Sequence, residues 1–567
     1  MTDASQNPAQ TPASGGDLAT WLRQLSPDTG AADPGGRPCG SSQLPLQDFY
    51  GPEGAEKPGH FPFSRGVSAR GYLDEHWVIG MYSGYASPRE TNARFKALLA
   101  TGQTGLSIAL DLPTQVGIDS DDPQSLGEVG KVGVPINSVD DMLALLDGLP
   151  IDQVRQMRST ANAIAPMFLA IVIVALEELG IDPASFRLFL QNDPLKEFPA
   201  RGTWIFPPAA SLKMAVDVVE YIAINHKGWQ PQQYCGYHIR DAGGTAVEEV
   251  AVATANGLAY LEEAKRRGID IATLAPTMFL FLAAGVDIFE EAAKFRAARR
   301  IWARLLNERY GVPKSACNIN IFAYTLGGAL QAREPFNNVA RISYEALAAV
   351  LGGVQTLATS SWDEAHSLPS QEAANLSVRT QQILAHESGV ANVVDPLGGS
   401  WYVEDLTTRL EAEILRQVAT IVDHGGAVRA IENGYVEDML AQSAYREFRD
   451  IQSGKKPIVG VNFKPREVEA EWNAEFVLPP GILDEVMTAL SETRKSREEA
   501  AVRATLDHLK VAAREGENLI ASLIDAARAR ATMGEMTDTL AEVFGRHGGS
   551  AMTVAARADT SRTGDAK

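Results

Sequence analysis

From about residue 61 to residue 400, short apolar runs alternate with longer segments in which apolar residues recur every three or four positions. The short runs predict buried β-strands, and the longer segments predict amphipathic helices. The predicted strands are residues 105–112, 187–190, 234–239, 271–281, 318–324 and 354–359. The predicted helices include residues 88–100, 164–179, 246–267 and 289–309. Alternation repeated this often predicts an α/β fold, in which a parallel sheet closes into a (β/α)8 barrel of the TIM type.

The two ends of the chain differ from the middle in composition and in hydrophobic pattern. Residues 1–60 are rich in Ala, Gly, Pro, Ser and Gln, which predicts an N-terminal arm that is partly disordered. After residue 400 strand signals become sparse, and helical patterns appear at 406–423, 491–514 and near 518–530. We therefore predict three parts: an arm over 1–60, a barrel catalytic domain over 61–400 and a mainly helical extension over 401–567.

Composition narrows the class of protein. The 567 residues carry a formal net charge of −20, and this acidity argues against nucleic-acid binding, which favours a basic face. Cys39, Cys235 and Cys317 are too few and too scattered for a disulfide framework or a zinc cluster. The first residues lack the basic start and apolar core of a signal peptide. The apolar stretch 164–176 is too short to span a bilayer and predicts a buried helix. We expect a cytoplasmic protein that is not bound to a membrane.

Polar residues follow two of the predicted strands. The segments QNDPLKEFPARGTWIFPP (191–208) and YCGYHIRDAG (234–243) each begin as a β-rich run and then open into a helix-like segment. Because the carboxyl ends of barrel strands build the active site, Gln191, Arg201 and His238 are expected to converge on one mouth. The sequence contains no Walker loop, HExxH pair or GxSxG elbow. The residues alone therefore predict an enzyme with a polar barrel mouth that contains His238.

These two segments, together with 101–136, 387–407 and 453–462, closely resemble the methylmalonyl-CoA mutase family. The resemblance covers roughly residues 60–465, with the motifs in the family's order. It implies an isomerase that uses adenosylcobalamin to rearrange acyl thioesters through radicals. The length resembles that of the large catalytic subunit of the split acyl-CoA mutases. The DxHxxG motif that supplies the family's cobalt ligand does not occur in this sequence. The resemblance therefore implies a separate small cobalamin-binding subunit, a hetero-oligomer and no metal ligand in this chain, with 401–567 as a candidate contact region.

The resemblance also assigns roles to single residues. His238 would donate a hydrogen bond to the thioester carbonyl oxygen, and Gln191 would be a second polar contact to the acyl group. Arg201 would grip a free carboxylate on the substrate. Tyr82 would wedge the adenosyl group and contact the same carboxylate, beside the small residue Ala109. Tyr82, Ala109 and Arg201 together imply a dicarboxylic acyl group, with methylmalonyl-CoA as the default substrate.

Further residues complete the predicted site. Glu364 would hold the ribose hydroxyls of the adenosyl group, Gln355 would belong to the radical cavity, and Tyr324 would lie on the cofactor side. Thr160 and Arg70 are assigned to substrate binding. The barrel interior would admit the pantetheine arm of the thioester.

The sequence departs from the family where the nucleotide end of coenzyme A is bound. Cations of the family are replaced by Glu75, Gly80, Gly228 and Thr277, and three polar strand positions become Asn320, Phe322 and Tyr324. Since each charge-assisted hydrogen bond contributes roughly 1.5–3 kcal/mol, we expect weak or re-routed nucleotide recognition, with Arg65, Arg70 or Lys227 as candidate replacements. Two alternatives stay open. One is a mutase for an ethylmalonyl, isobutyryl or hydroxyisobutyryl group, or for a carrier-protein thioester. The other is a degenerate mutase that serves as a non-catalytic scaffold.

Overall fold

The computed structural model describes residues 41–151, 154–185, 187–466 and 478–548, and positions 17, 19, 20, 22 and 37–39 before them. Two units can be distinguished, Met1–Gln47 and Asp48–Lys567. In the first unit, Arg37–Cys39 pairs antiparallel with Leu44–Leu46. Most of the predicted N-terminal arm lies outside the described residues, so its predicted disorder stays a prediction.

The second unit is built around eight parallel strands. They are β1 Val78–Ser83, β2 Gly105–Ile108, β3 Gln156–Ser159, β4 Leu188–Leu190, β5 Gln232–Cys235, β6 Met278–Ala284, β7 Asn320–Thr325 and β8 Thr356–Ala358. Their order in the sheet is β4-β3-β2-β1-β8-β7-β6-β5. The ends of this sheet meet where the backbone nitrogen of Leu190 donates to the carbonyl of Gln230 (3.1 Å). The predicted (β/α)8 barrel is confirmed.

One long helix follows each strand. These helices are α1 Pro88–Ala100, α2 Val139–Leu146, α3 Ala165–Leu179, α4 Pro208–Asn225, α5 Ala246–Arg266, α6 Ile288–Arg304, α7 Asn337–Leu351 and α8 Gln371–His386. Side-chain caps begin several of them: Ser87 accepts from the Glu90 backbone at α1, and Thr245 forms a capping box with Glu248 at α5. The window Asn162–Leu179 is apolar and long enough to cross a membrane by composition, but 83% of it is buried in the protein. The predicted buried helix is therefore confirmed as a core helix.

The helices that follow the barrel pack onto its outer surface. They are α9 Trp401–Asp423, α10 Gly426–Glu432, α11 Tyr435–Gln452, α12 Ile482–Ser496, α13 Glu499–Glu515, α14 Ile520–Arg528 and α15 Met533–Phe544. Apolar residues of α9–α11 share one core with the helices around β5–β7. Apolar residues of α13–α15 share a second core with α3 and its neighbours. The described residues of 401–567 are thus mainly helical, with a non-helical stretch at 453–466.

Several predicted boundaries differ from the structure. The predicted strand 234–239 ends at Cys235 and continues as the helix Tyr237–Asp241. The predicted strand 271–281 begins as the helix Ile271–Leu274. Strands β1 and β3 were not predicted, because Gly80, Gln156 and Arg158 interrupt the apolar pattern on the inward face. The predicted helix 491–514 is two helices, since the backbone of Arg497 is extended.

Candidate active site

The carboxyl ends of the strands gather most of the predicted residues at one mouth. Ala109 follows β2, Thr160 follows β3, Gln191 follows β4, His238 lies in the helix after β5, Tyr324 is in β7, and Glu364 follows β8. Tyr82 is in β1, where its backbone pairs with Ser107, and its side chain lies outside the described part of the structure. This end of a (β/α)8 barrel is where active sites are built.

His238 is held in one protonation state and one tautomer. The Nζ of Lys196 lies 2.8 Å from His238 Nδ1, and the Sγ of Cys235 lies 3.3 Å from the same nitrogen. Because a lysine ammonium can only donate, Nδ1 is the acceptor, and the ring proton is on Nε2. Burial, followed by the positive charges of Lys196 and Arg201, holds the pKa of His238 well below its usual value. The ring is therefore neutral and presents an Nε2–H donor.

The short turn that carries His238 depends on a close backbone approach at Gly236. A Cβ at this position would lie 2.6 Å from the Cγ of Glu249 and 2.8 Å from its carbonyl oxygen. Any larger residue would push the turn away from α5. Gly236 therefore allows β5 to pass directly into the helix that carries His238.

A buried ionic network connects His238 to Arg201. Lys196 Nζ lies 2.5 Å from Glu197 Oε1, and both side chains are fully buried. Thr203 donates to the second oxygen of Glu197, and Arg201 Nη1 lies 3.8 Å from the first. Arg201 Nη1 is buried and has no hydrogen-bond partner among the described residues. This nitrogen therefore has a donor that none of the described residues takes, 3.8 Å from the Glu197 carboxylate.

Gln191, Thr160 and Ala109 form the neighbouring wall. Gln191 is 4% exposed, and its Oε1 has no hydrogen-bond partner within the described part of the chain. Thr160 Oγ1 accepts from the backbone nitrogen of Leu110 at 3.4 Å. Ala109 is buried against Gly84, where a Cβ would lie 2.4 Å from the Ala109 carbonyl oxygen. This wall is closely packed, and the Oε1 of Gln191 within it has no hydrogen-bond partner among the described residues.

Glu364 and Tyr324 meet on the opposite side of the mouth. The Tyr324 hydroxyl donates to Glu364 Oε2 at 3.3 Å, and the backbone nitrogen of Ser361 donates to the same oxygen at 3.2 Å. Burial raises the pKa of Glu364 to about 7. A carboxyl group at this place has acceptor oxygens suited to a pair of vicinal hydroxyls.

A family model described as methylmalonyl-CoA mutase matches residues 41–546. This chain belongs to the methylmalonyl-CoA mutase family. Among its curated relatives, the methylmalonyl-CoA mutase of Rhizobium meliloti (strain 1021) is 38% identical over 489 residues, which is 86% of this chain and 68% of the relative. The Escherichia coli (strain K12) methylmalonyl-CoA mutase is 37% identical over 490 residues, or 86% and 68%. The 2-hydroxyisobutanoyl-CoA mutase large subunit of Aquincola tertiaricarbonis is 38% identical over 496 residues, or 86% and 87%.

Family membership confirms the predicted class, an isomerase that depends on adenosylcobalamin. Glu364 and Tyr324 form a polar corner at the rim of the mouth, and their contact with the adenosyl ribose stays a prediction. Across the described ranges, no group of three or more His, Cys, Asp and Glu side chains is arranged to hold a metal ion. The assignment of a cobalt ligand to another subunit stays a prediction.

Gln355 does not reach the mouth, and Arg70, a candidate for the nucleotide end, is already paired. Gln355 precedes β8, where its Oε1 accepts from the Ile321 backbone (2.8 Å) and its Nε2 donates to the Gly353 carbonyl (2.8 Å). This is the amino end of the barrel, opposite the place predicted for it. Arg70 is half-exposed and forms ion pairs with Asp48 and Asp74. Its positive charge is therefore already matched by carboxylates.

The amino end of the barrel contains a cavity of about 330 Å³ whose cations are already engaged. Arg155 pairs with Glu75 at 2.8 Å, and Arg65 pairs with Asp395 and Glu404. Arg299 donates to backbone carbonyls, including that of Gly352 at 2.7 Å. These arginines are therefore already paired in the structure, and weak nucleotide recognition at this end stays a prediction.

Side chains fill the middle of the barrel, where the resemblance predicted room for the pantetheine arm. Arg158 from β3 lies over Phe322 from β7, with its Cζ 4.3 Å from the ring centroid. Phe322 stacks on Phe281 from β6, with centroids 4.4 Å apart. Gly80 makes the room, since a Cβ there would lie 1.9 Å from Arg158 Nη2. We call Arg158, Phe322 and Phe281 the axial stack. Sequence reasoning missed Arg158, although Gly80 and Phe322 were both noted as departures.

Proposed function

We propose that this chain is the catalytic large subunit of an adenosylcobalamin-dependent acyl-thioester mutase acting on a dicarboxylic acyl group, with methylmalonyl as the first candidate. The observation that carries the proposal is the neutral His238, which Lys196 fixes as an Nε2–H donor in the same network as the unbonded Nη1 of Arg201. One group suits a carbonyl oxygen, and the other suits a carboxylate.

The chain's own residues supply binding, orientation and electrostatics. Adenosylcobalamin, when bound, supplies the organic radical that begins the rearrangement. Migration of a carbonyl-bearing fragment places spin and partial negative charge on the thioester oxygen, and His238 Nε2–H donates to that oxygen. Arg201 orients the substrate through its carboxylate, while Gln191 contributes a further acceptor.

We also propose that the chain works with a small cobalamin-binding subunit as a hetero-oligomer in the cytoplasm. The missing DxHxxG motif supports the first part. So does the naming of relatives such as those of Aquincola tertiaricarbonis and Streptomyces virginiae as large subunits. Cys235 and Cys317 are free thiols, which fits a reducing compartment.

Turnover by the reconstituted enzyme tests this function. The chain would be combined with adenosylcobalamin and a candidate small subunit, and methylmalonyl, isobutyryl and hydroxyisobutyryl thioesters would be compared. We expect turnover only in the presence of the small subunit, and a preference for the methylmalonyl thioester. Turnover without the small subunit would contradict the proposed division of labour, and a preference for isobutyryl would contradict the role of Arg201.

A second candidate function is a non-catalytic scaffold, and the filled barrel interior favours it. If the axial stack never opens and the mouth has no substrate, the chain would bind the small subunit yet convert none of these thioesters. Complex formation without turnover of any tested acyl group would support this candidate over the first.

A further inference from the structure

Arg155 lines the cavity of about 330 Å³ at the amino end of the barrel. Its Nη1 donates to the His76 carbonyl at 3.2 Å, and its Nη2 lies 2.8 Å from Glu75 Oε1. The side chain of Glu75 is 68% exposed, so it can turn into solvent at little cost. The guanidinium is therefore anchored on one side and paired with an exchangeable carboxylate on the other.

Two other arginines line this cavity, and both stabilise the fold. Arg299 is buried and donates to backbone carbonyls of two separate chain segments. Arg65 pairs at 3.0 Å with Asp395, whose side chain is itself buried. Taking either arginine away from its partners would leave a buried polar group unpaired, which is strongly destabilising. Arg155 is therefore the arginine of this cavity that a ligand can take over.

Further cations stand beside Arg155 along the amino rim of the barrel. Arg155, Arg187 and Lys227 precede the neighbouring strands β3, β4 and β5, and both Arg187 and Lys227 are exposed. The backbone nitrogen of Met157 donates to the Arg187 carbonyl at 2.8 Å, so the beginnings of β3 and β4 lie side by side. Burial, opposed by Glu75 and assisted by the charge of Arg187, holds the pKa of Arg155 below its usual value. The rim thus presents positive charge next to the cavity, which attracts an anion.

We propose that Arg155 recognises the phosphorylated nucleotide end of the acyl-CoA substrate, and that Glu75 competes with this end for the guanidinium. A phosphate forms two parallel hydrogen bonds with a guanidinium and carries more charge than the carboxylate that it displaces. The lining of the cavity includes Trp77 and Val394, and apolar walls of this kind suit a purine. The inference rests on the proposed function, because an acyl group held at the mouth places the far end of a long thioester arm at the opposite end of the barrel.

Binding of the nucleotide end alone tests this without turnover and without opening the axial stack. Isothermal titration would measure adenosine bisphosphate, the nucleotide end of coenzyme A, and unphosphorylated adenosine against the full chain. We expect adenosine bisphosphate to bind at least about tenfold more tightly than adenosine, and Arg155→Gln to weaken its binding by about tenfold or more, the scale for one charge-assisted hydrogen bond. The matched control is Arg309→Gln, which removes an exposed arginine paired with Glu262 and should leave the affinity within about twofold.

Glu75→Gln gives a prediction of opposite sign. Removal of the competing carboxylate should tighten the binding of adenosine bisphosphate about threefold to fivefold, the scale for an exposed ion pair. Partial unfolding cannot produce such a gain. The gain should disappear when Glu75→Gln is combined with Arg155→Gln, because competition needs the arginine. Glu128→Gln is the control, since it removes a carboxylate paired with Lys131 at the carboxyl end and should change the affinity by less than about twofold.

Three results would overturn the proposal: equal binding by wild type and Arg155→Gln, weaker binding by Glu75→Gln, or equal binding of adenosine and adenosine bisphosphate. These outcomes are separable from those of the proposed function. Nucleotide binding that depends on Arg155, without turnover of any thioester, would leave this inference standing and remove the mutase proposal. Robust turnover of methylmalonyl-CoA with the same kcat/KM in wild type and Arg155→Gln would do the reverse.

Discussion

Lys196→Met is the most informative single change at the mouth, because it leaves His238 in place and removes only its partner. The methionine keeps most of the volume of the buried side chain and deletes the donor that lies 2.8 Å from His238 Nδ1. It also leaves Glu197, which is 2.5 Å from Lys196 Nζ, without its cation. Lys196 would be a positioning residue that acts through His238.

The magnitude follows from one charge-assisted hydrogen bond. Such a bond is worth roughly 1.5–3 kcal/mol, which corresponds to a loss of about 10-fold to 150-fold in kcat, since about 1.4 kcal/mol is tenfold. The pH dependence should change as well. Burial and the charge of Lys196 hold the His238 pKa low, so removing that charge beside the carboxylate of Glu197 raises it. The acid limb of the rate profile should therefore move to higher pH.

The assay is kcat and kcat/KM between pH 5.5 and 9 for the reconstituted enzyme. Lys213→Met is the matched control, because Lys213 also pairs with an acid, Asp217 at 2.6 Å, but lies on α4 away from His238. Lys196→Arg should restore part of the rate. Wild-type kcat and an unmoved acid limb in a folded Lys196→Met protein would refute the reasoning.

Three further changes test separate parts of the site. His238→Ala should lower kcat by roughly 100–1000-fold, the scale for one preorganised donor, while the exposed His508→Ala should not; near-normal turnover by the first would remove His238 from the mechanism. Arg201→Gln should narrow or reverse the preference for methylmalonyl over isobutyryl thioesters in competition assays, because a desolvated carboxylate would lose its charged partner; an unchanged preference would assign the carboxylate to another residue. Glu364, whose pKa burial raises to about 7 from 4.5, binds a proton in the folded state that it loses in the unfolded state between these values. Its contribution to the free energy of unfolding therefore falls as pH rises through that window. Relative to wild type, Glu364→Gln should raise the free energy of unfolding by about 1–2 kcal/mol more at pH 8 than at pH 5, after allowance for solvent at the rim. Urea unfolding measures this, and an identical difference at both pH values would mean that Glu364 is not desolvated.

The sequence predicted element boundaries correctly where residues next to the boundary determine it. Helix α1 begins at Pro88 as predicted, because Ser87 caps it and proline favours the first turn. The strand predicted to continue to residue 239 ends at Cys235. Tyr237 and Ile239 are buried in the helix that follows the strand. A short apolar run looks the same in a single sequence whether it forms a strand or a buried helix. Strands β1 and β3 were missed because the residues that face the barrel interior, such as Gly80 and Arg158, are not apolar and so break the strand pattern.

The site was predictable where chemistry follows a strand end and unpredictable where it depends on packing. Gln191 and His238 could be placed from their positions after β4 and β5. Lys196 stands in the same motif as Gln191, but lysine is rarely buried, and only the fold brings its Nζ to His238. Gln355 was assigned by resemblance to the radical cavity, whereas its amide bonds to backbone at the amino end.

The residues that match the family's reactive site and several of those that depart from the family lie at different levels of the barrel. His238 and Arg201 occupy the mouth, while Glu75 and Thr277 lie at the amino end, where Glu75 pairs with Arg155 and Thr277 donates to the Leu274 carbonyl. Between them lies the axial stack. A chain that had merely lost catalysis would be expected to change His238 and its buried partners first, because an ionic network without a ligand to orient costs stability. Here His238, Lys196 and Glu197 keep their contacts, and the changed residues lie along the predicted path of the thioester arm. The pattern therefore favours a mutase with a retained reactive mouth and a changed recognition path over a chain that has lost catalysis.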